Sequence, residues 1–90
     1  MTQANLHLHT AGTTPFGRSL DGHKLFTVNP DIPAIDALEH ASILQDCANK
    51  LMTEAAFGDP TGHAALSAVY LNEMGKALMD DVAQAMAAAV

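Results

Sequence analysis

The stretch EAAFGDPTGHAALSAVYLNEMGKALMDDV, residues 54–82, holds the end of one amphipathic helix, a turn, and most of a second helix. Phe57-Gly58 closes the first, because glycine adopts the left-handed C-terminal cap without a Cβ clash. Asp59-Pro60 opens the second as N-cap and first helical residue: the carboxylate accepts from first-turn amides, and proline there loses no hydrogen bond. A connection this short makes the two helices antiparallel neighbours.

Working outward, Ala64, Ala68, Leu71, Gly75, Leu78, Val82 and Ala85 alternate at spacings of 4 and 3. Upstream, Ala37, Ala41, Leu44, Ala48, Leu51 and Ala55 do the same. That alternation is the signature of one buried helical stripe. Asn29-Pro30-Asp31 is turn chemistry, and Pro33 suits a first helical turn, with Asp36 and Glu39 following where carboxylates favour the helix dipole. Helices are therefore expected over about 33–56 and 60–88. Glu39, Asp46, Lys50 and Thr53 lie opposite the first seam, and Glu73, Lys76, Asp80, Asp81 and Gln84 fall mostly outside the second. Asp46–Lys50 and Lys76–Asp80 are i,i+4 ion pairs.

The seam itself is small. Ala41, Leu44, Ala48 and Leu51 face Ala68, Leu71, Gly75, Leu78 and Val82, so the backbones approach near the lower end of the usual interaxial range of roughly 8–10 Å. Bulky apolar residues lie beside it: Leu38, Ile43 and Met52 on the first helix, Leu66, Val69, Tyr70, Met74 and Met79 on the second. This arc is wider than one neighbouring helix covers. The sequence thus predicts an all-α fold, an antiparallel helical hairpin with a short extended N-terminal segment. It pairs with a second copy into a four-helix bundle through those eight bulky residues.

Residues 1–24 are polar and without helical period, and read as a flexible tail ahead of a hairpin domain at 25–90, with Met1–Thr14 mobile. Asp21-Gly22 is a tight-turn signal, and Phe16, Leu20, Leu25, Phe26 and Val28 suffice for a small strand or hairpin around Leu25–Val28. Such a hairpin is stable only against the helices, at Leu66, Val69 and Tyr70. Deleting residues 1–28 is then expected to lower stability, and deleting 1–14 to leave it unchanged.

Four Lys and Arg against ten Asp and Glu give a net charge of −6, too few cations for a phosphate-binding stripe, so nucleic acid is excluded as a partner. Three Phe, one Tyr and no Trp supply few large anchors, and the many alanines release little free energy on burial, so self-association is expected to complete the core. Cys47 is the lone cysteine, which fits a reducing compartment. The opening MTQANLHLHTAGTT has neither the basic nor the apolar region of a signal peptide, and no run of about 20 apolar residues spans a membrane. The expected location is the cytoplasm.

Several residue groups carry side chains capable of chemistry. His7-x-His9, even with His23, gives too few fixed ligands for a metal site. His40 and Cys47, seven residues apart on one helix, are about 10 Å apart along its axis and cannot exchange a proton directly. Cys47 reads instead as a small packed apolar residue. Glu39, Asp46, Glu73, Asp80 and Asp81 lack the Glu-x-x-His motif of bundle metal sites and read as a solvated face. The turn Gly58–His63 has no Walker lysine, and Asp59 would repel an anion. Met74, Met79 and Met86 read as core filler or dimer interface. No catalytic residue, cofactor or metal is predicted.

One further feature is the pattern Phe26-x-Val28-x-Pro30, then Ala37-Leu38-x-x-Ala41-Ser42-x-Leu44, Ala55-Ala56, and Tyr70-Leu71-x-Glu73-Met74-x-Lys76-Ala77-Leu78-x-Asp80-Asp81. Over about residues 25–82 the chain resembles a small bacterial family catalogued as domain of unknown function three-zero-seven-seven. Gly75 stands where that pattern has Ala, and Asp31 where it has Gly. The resemblance implies the helical architecture and no activity. The predicted function is a non-enzymatic, homodimeric protein-interaction module. The alternatives are a small regulatory protein binding an apolar ligand in the bundle core and, last, an enzyme with a site formed across the dimer.

Overall fold

The computed structural model describes residues 8–89. The part of the expected tail over residues 1–7, including His7 of the His7-x-His9 pair, lies outside the described residues. Four elements follow in order: β1 (Pro15–Arg18), β2 (Lys24–Thr27), α1 (Ala34–Ala56) and α2 (His63–Ala88). The fold is helical but not purely so, because β1 and β2 form a two-stranded antiparallel sheet.

α1 begins one residue after Pro33, whose extended backbone (φ −53°, ψ 131°) precedes the first helical turn. It closes through Phe57, with the Gly58 N–H donating to the Ala55 carbonyl at 3.3 Å and φ of Gly58 at 116°. α2 starts three residues later than the sequence suggests. Gly62 adopts φ 75°, a left-handed conformation that interrupts the helix between Pro60 and His63. Asp59 nevertheless caps it from a distance. Its Oδ2 accepts from the Ala64 N–H at 2.8 Å and the Ala65 N–H at 3.3 Å. Partial desolvation opposes the Asp59 charge. The Thr61 hydroxyl and the Ala65, Ala64 and Gly62 amides outweigh it, leaving the carboxyl below its ordinary 3.8.

The helices run antiparallel. Ala34 and Ala37 pack with Val82 at one end, and Leu8 and Leu78 close over that cluster. Further along, a Cβ built on Gly75 would lie 3.3 Å from the Ala41 carbonyl oxygen, so the two backbones touch there. Ala41, Ala48, Ala68, Ala77 and Val82 are buried, and the interior of the hairpin is a line of small side chains. The principal extents are 50 × 30 × 15 Å, a slab little more than one helix thick.

β1 and β2 pair with Phe16 opposite Phe26, their ring centroids 5.5 Å apart. The connecting loop is longer than a two-residue turn: Ser19 N–H donates to the His23 carbonyl and Gly22 N–H to the Ser19 carbonyl. β1 lies against α2.

Residues 8–24, expected from their polarity to be a flexible tail, hold β1 and backbone pairing with the segment that follows. Leu8–Thr14 forms a strap laid antiparallel to residues 28–34. Thr10 N–H donates to the Ile32 carbonyl at 2.8 Å, Asp31 N–H to Thr10 at 3.1 Å, and Ala34 N–H to Leu8 at 2.9 Å. The Thr10 side chain, 4% exposed, does what an apolar residue would not. Its hydroxyl donates to the Asn29 carbonyl at 2.7 Å and accepts from the Ile32 N–H at 3.0 Å. Polar composition misled because a threonine-rich strand satisfies its backbone by pairing, not by hydrophobic periodicity.

Candidate interaction surface

The nine residues expected in the seam are all buried or half-buried. Ala41, Ala48, Ala68, Gly75 and Val82 are buried, and Leu44, Leu51, Leu71 and Leu78 are half-buried. All eight bulky residues assigned to a partner surface are exposed, from Met74 at 38% to Val69 at 62%. They do not form one patch. Met74 and Tyr70 face the β-hairpin side, whereas Met52 and Val69 line a hollow on the other with Ala55, Ala65, Ala68 and Asn72. Asn72 of that second hollow also joins the two helices, its Oδ1 accepting from the Gln45 amide at 2.9 Å.

On the β-hairpin side three concavities join into a groove. The first, about 160 Å³, lies between the sheet and α2, lined by Phe16, Gly17, Phe26, Tyr70, Glu73 and Met74. The next adds Val28, Ile32, Leu44 and Leu78. The last continues along α1 with Asp36, Ala37 and His40. Met74 lines all three. Leu44 and Leu78 therefore serve both the seam and the groove. Phe16, Phe26, Ile32 and His40 are groove residues that helical period alone did not assign. Of the four residues expected to dock the N-terminal segment, Phe16 and Phe26 line one concavity with Tyr70, while Leu20 is fully exposed and Leu25 half-exposed.

The largest departure from the sequence reading is Asp81, assigned to the solvated face and in fact 0% exposed. Its carboxylate holds the strap. Oδ2 accepts from Gly12 N–H at 2.8 Å, and Oδ1 from Thr13 N–H and Thr14 N–H at 2.9 Å each. Burial opposes the charge, but only a thin layer of strap covers the carboxylate. Donation from Gly12, the dipole of the Thr14 hydroxyl and the Thr13 and Thr14 amides outweigh burial, so the carboxyl stays below its ordinary 3.8. The Thr14 hydroxyl, itself buried, makes no hydrogen bond of good geometry. Gly12 is required where it stands: φ is 77°, and a Cβ would lie 2.6 Å from that of Pro30. One sequence signal was available. Asp81 follows Leu78 by three residues and Ala77 by four, which places it on the groove flank of α2.

The other candidates resolve simply. Asp46–Lys50 and Lys76–Asp80 are ion pairs at 3.1 and 2.7 Å, both exposed. Cys47 is exposed, not packed, since it lies just beyond the stripe that α2 covers. The methionines are not core filler within one chain: Met74, Met79 and Met86 are 38–51% exposed. His40 Nδ1 lies 3.2 Å from the Asp36 carbonyl oxygen. Among the described residues no three of His, Cys, Asp and Glu are grouped to hold a metal, and no helix is long and apolar enough to cross a membrane.

The fold and surface define a two-helix hairpin with a small-residue seam, flanked by a β-hairpin and fastened by an N-terminal strap. The chain belongs to the DUF3077 family, proteins of unknown function, whose model matches residues 10–85. The match begins ahead of the pattern quoted above and takes in β1, β2 and residues 10–14 of the strap. Comparison with curated proteins and with solved structures gives no match.

Proposed function

We propose that this chain is a non-enzymatic protein-interaction module of the cytoplasm that works as a homodimer, two helical hairpins pairing into a four-helix bundle. The observation that carries this reading is an inversion of side-chain size. Among the described residues the buried apolar ones are Ala and Val, whereas Leu, Ile, Met, Phe and Tyr are 38% exposed or more at fourteen positions. A monomer leaving so much large apolar surface in water forgoes most of the free energy its sequence offers, and exposed patches of this kind mark association surfaces. Light scattering and thermal melts over a hundredfold concentration range test it. A dimer gives the doubled mass and a melting temperature that rises with concentration. A stable monomer at every concentration overturns it.

A second reading, a regulatory protein holding an apolar ligand, draws support from the hollow between the sheet and α2. Its volume of about 160 Å³ falls below the roughly 300–1,000 Å³ of ordinary ligand pockets, while the concavity along α1 in the same groove reaches about 460 Å³. Native mass spectrometry of the purified protein tests it by the mass of any retained ligand.

A further inference from the structure

The strap is fastened mainly by polar bonds. Leu8 is its contribution to the Ala34, Ala37 and Val82 cluster, and Leu8 is only partly buried. The remaining attachments are of two kinds. Along residues 28–34, Thr10 N–H donates to the Ile32 carbonyl, while the Asp31 and Ala34 amides donate to the Thr10 and Leu8 carbonyls. On the other side three consecutive amides, those of Gly12, Thr13 and Thr14, converge on the single carboxylate of Asp81. We propose that the strap is a latch with Asp81 as its catch, opening as a unit while the helical hairpin and the β-hairpin stay folded.

Segments that open locally are those with few buried apolar contacts, and here Leu8 alone packs on the apolar cluster. The strap also has a fixed end from which to swing. Pro15, the next residue, pairs with Thr27 at the start of β1, and β1 lies against α2. The catch is concentrated in one group. Without the Asp81 carboxylate a closed strap leaves three N–H donors with no acceptor, whereas an open strap gives them to water. The closed form already carries one such cost, because the buried Thr14 hydroxyl makes no hydrogen bond of good geometry. Opening changes the surface as well. Ala37 belongs both to the cluster under Leu8 and to the groove along α1, and Leu78 borders both. Lifting Leu8 therefore extends the apolar groove to Ala34 and Val82.

Hydrogen exchange of the full-length chain, followed amide by amide by NMR, tests the latch. The amides of Thr10, Gly12, Thr13, Thr14, Asp31 and Ala34 are expected to exchange as one group, at least about tenfold faster than those of Ala48 and Ala77 within the helices. Their protection should depend little on urea, since opening the strap exposes little surface, whereas that of Ala48 and Ala77 should fall steeply. Asp81→Asn should speed the strap group by about 30-fold and leave the Ala48 and Ala77 amides protected. Strap amides that share the protection and the urea dependence of Ala48 and Ala77 overturn the latch, because the strap then opens only with the whole fold. An Asp81→Asn chain whose strap stays as protected as the wild type overturns Asp81 as the catch. If Asp81→Asn fails to fold, the urea dependence of the wild type decides alone.

Discussion

At the scale of single residues, the carboxylate of Asp81 has the clearest energetic role. It accepts three backbone N–H groups, and hydrogen bonds to a charged group are each worth about 1.5–3 kcal/mol. Asp81→Asn keeps the shape but turns one acceptor into a donor facing N–H groups. It is expected to cost about 2 kcal/mol in urea unfolding, and Asp81→Ala about 3 kcal/mol. The folded carboxyl sits below 3.8, so the clasp contributes fully above the unfolded carboxyl's range and is lost as pH falls through the folded value. Acid titration of the wild type should therefore show stability falling below about pH 4, and Asp81→Asn should flatten that slope. Asp59 has the same sign. Asp31 stores strain of a different kind, holding φ 65° with a side chain that disfavours it. Asp31→Gly should raise stability by up to about 1 kcal/mol, and Asp31→Val should lower it by about 2 kcal/mol, both read from denaturation midpoints.

At the scale of elements, the strap is the least expected part and the most open to test. Deleting residues 1–14 removes Leu8 from the Ala34, Ala37 and Val82 cluster and leaves Asp81 without donors. Contrary to the sequence-based expectation of no change, the shortened chain should melt at least about 5 °C lower, measured by circular dichroism, the shift that about 1 kcal/mol produces in a domain this size. At the helix crossing, Gly75→Leu should cost about 3 kcal/mol, because its side chain would meet the Ala41 carbonyl, Gln45 and Leu44. Most of the helical part was legible in the sequence. The 4, 3 alternation gave α1 and α2, and glycine and proline marked their ends to within three residues. Two kinds of information were not legible. Gly62 looks like any turn glycine, so nothing local announced that it would delay α2. The strap binds through backbone amides, which every residue carries, to one aspartate among several on α2. No periodicity records such a pairing.

At the scale of the molecule, a slab 15 Å thick has two faces and almost no interior. Leu44 and Leu78 lie where seam and groove meet. Replacing either with Asp should abolish the far-ultraviolet helical signal, since it places a charge against both the hairpin contact and the apolar groove. The bulky residues beside the seam are exposed, and their division between two faces follows from the packing of the β-hairpin on α2, which no helical period records.

The clasp also sets an order of events. Its three hydrogen bonds join residues 67 to 69 positions apart, so the Gly12–Thr14 amides have no carboxylate partner until Asp81 has been synthesised. α1 and α2 form from local contacts and meet across a short turn, while the strap must close nearly the whole chain into one loop, a slow and entropically costly step. On the ribosome, where residues emerge at about 5–20 per second, the N-terminal segment waits several seconds for its partner. The residues made first in this fold are among the last to settle.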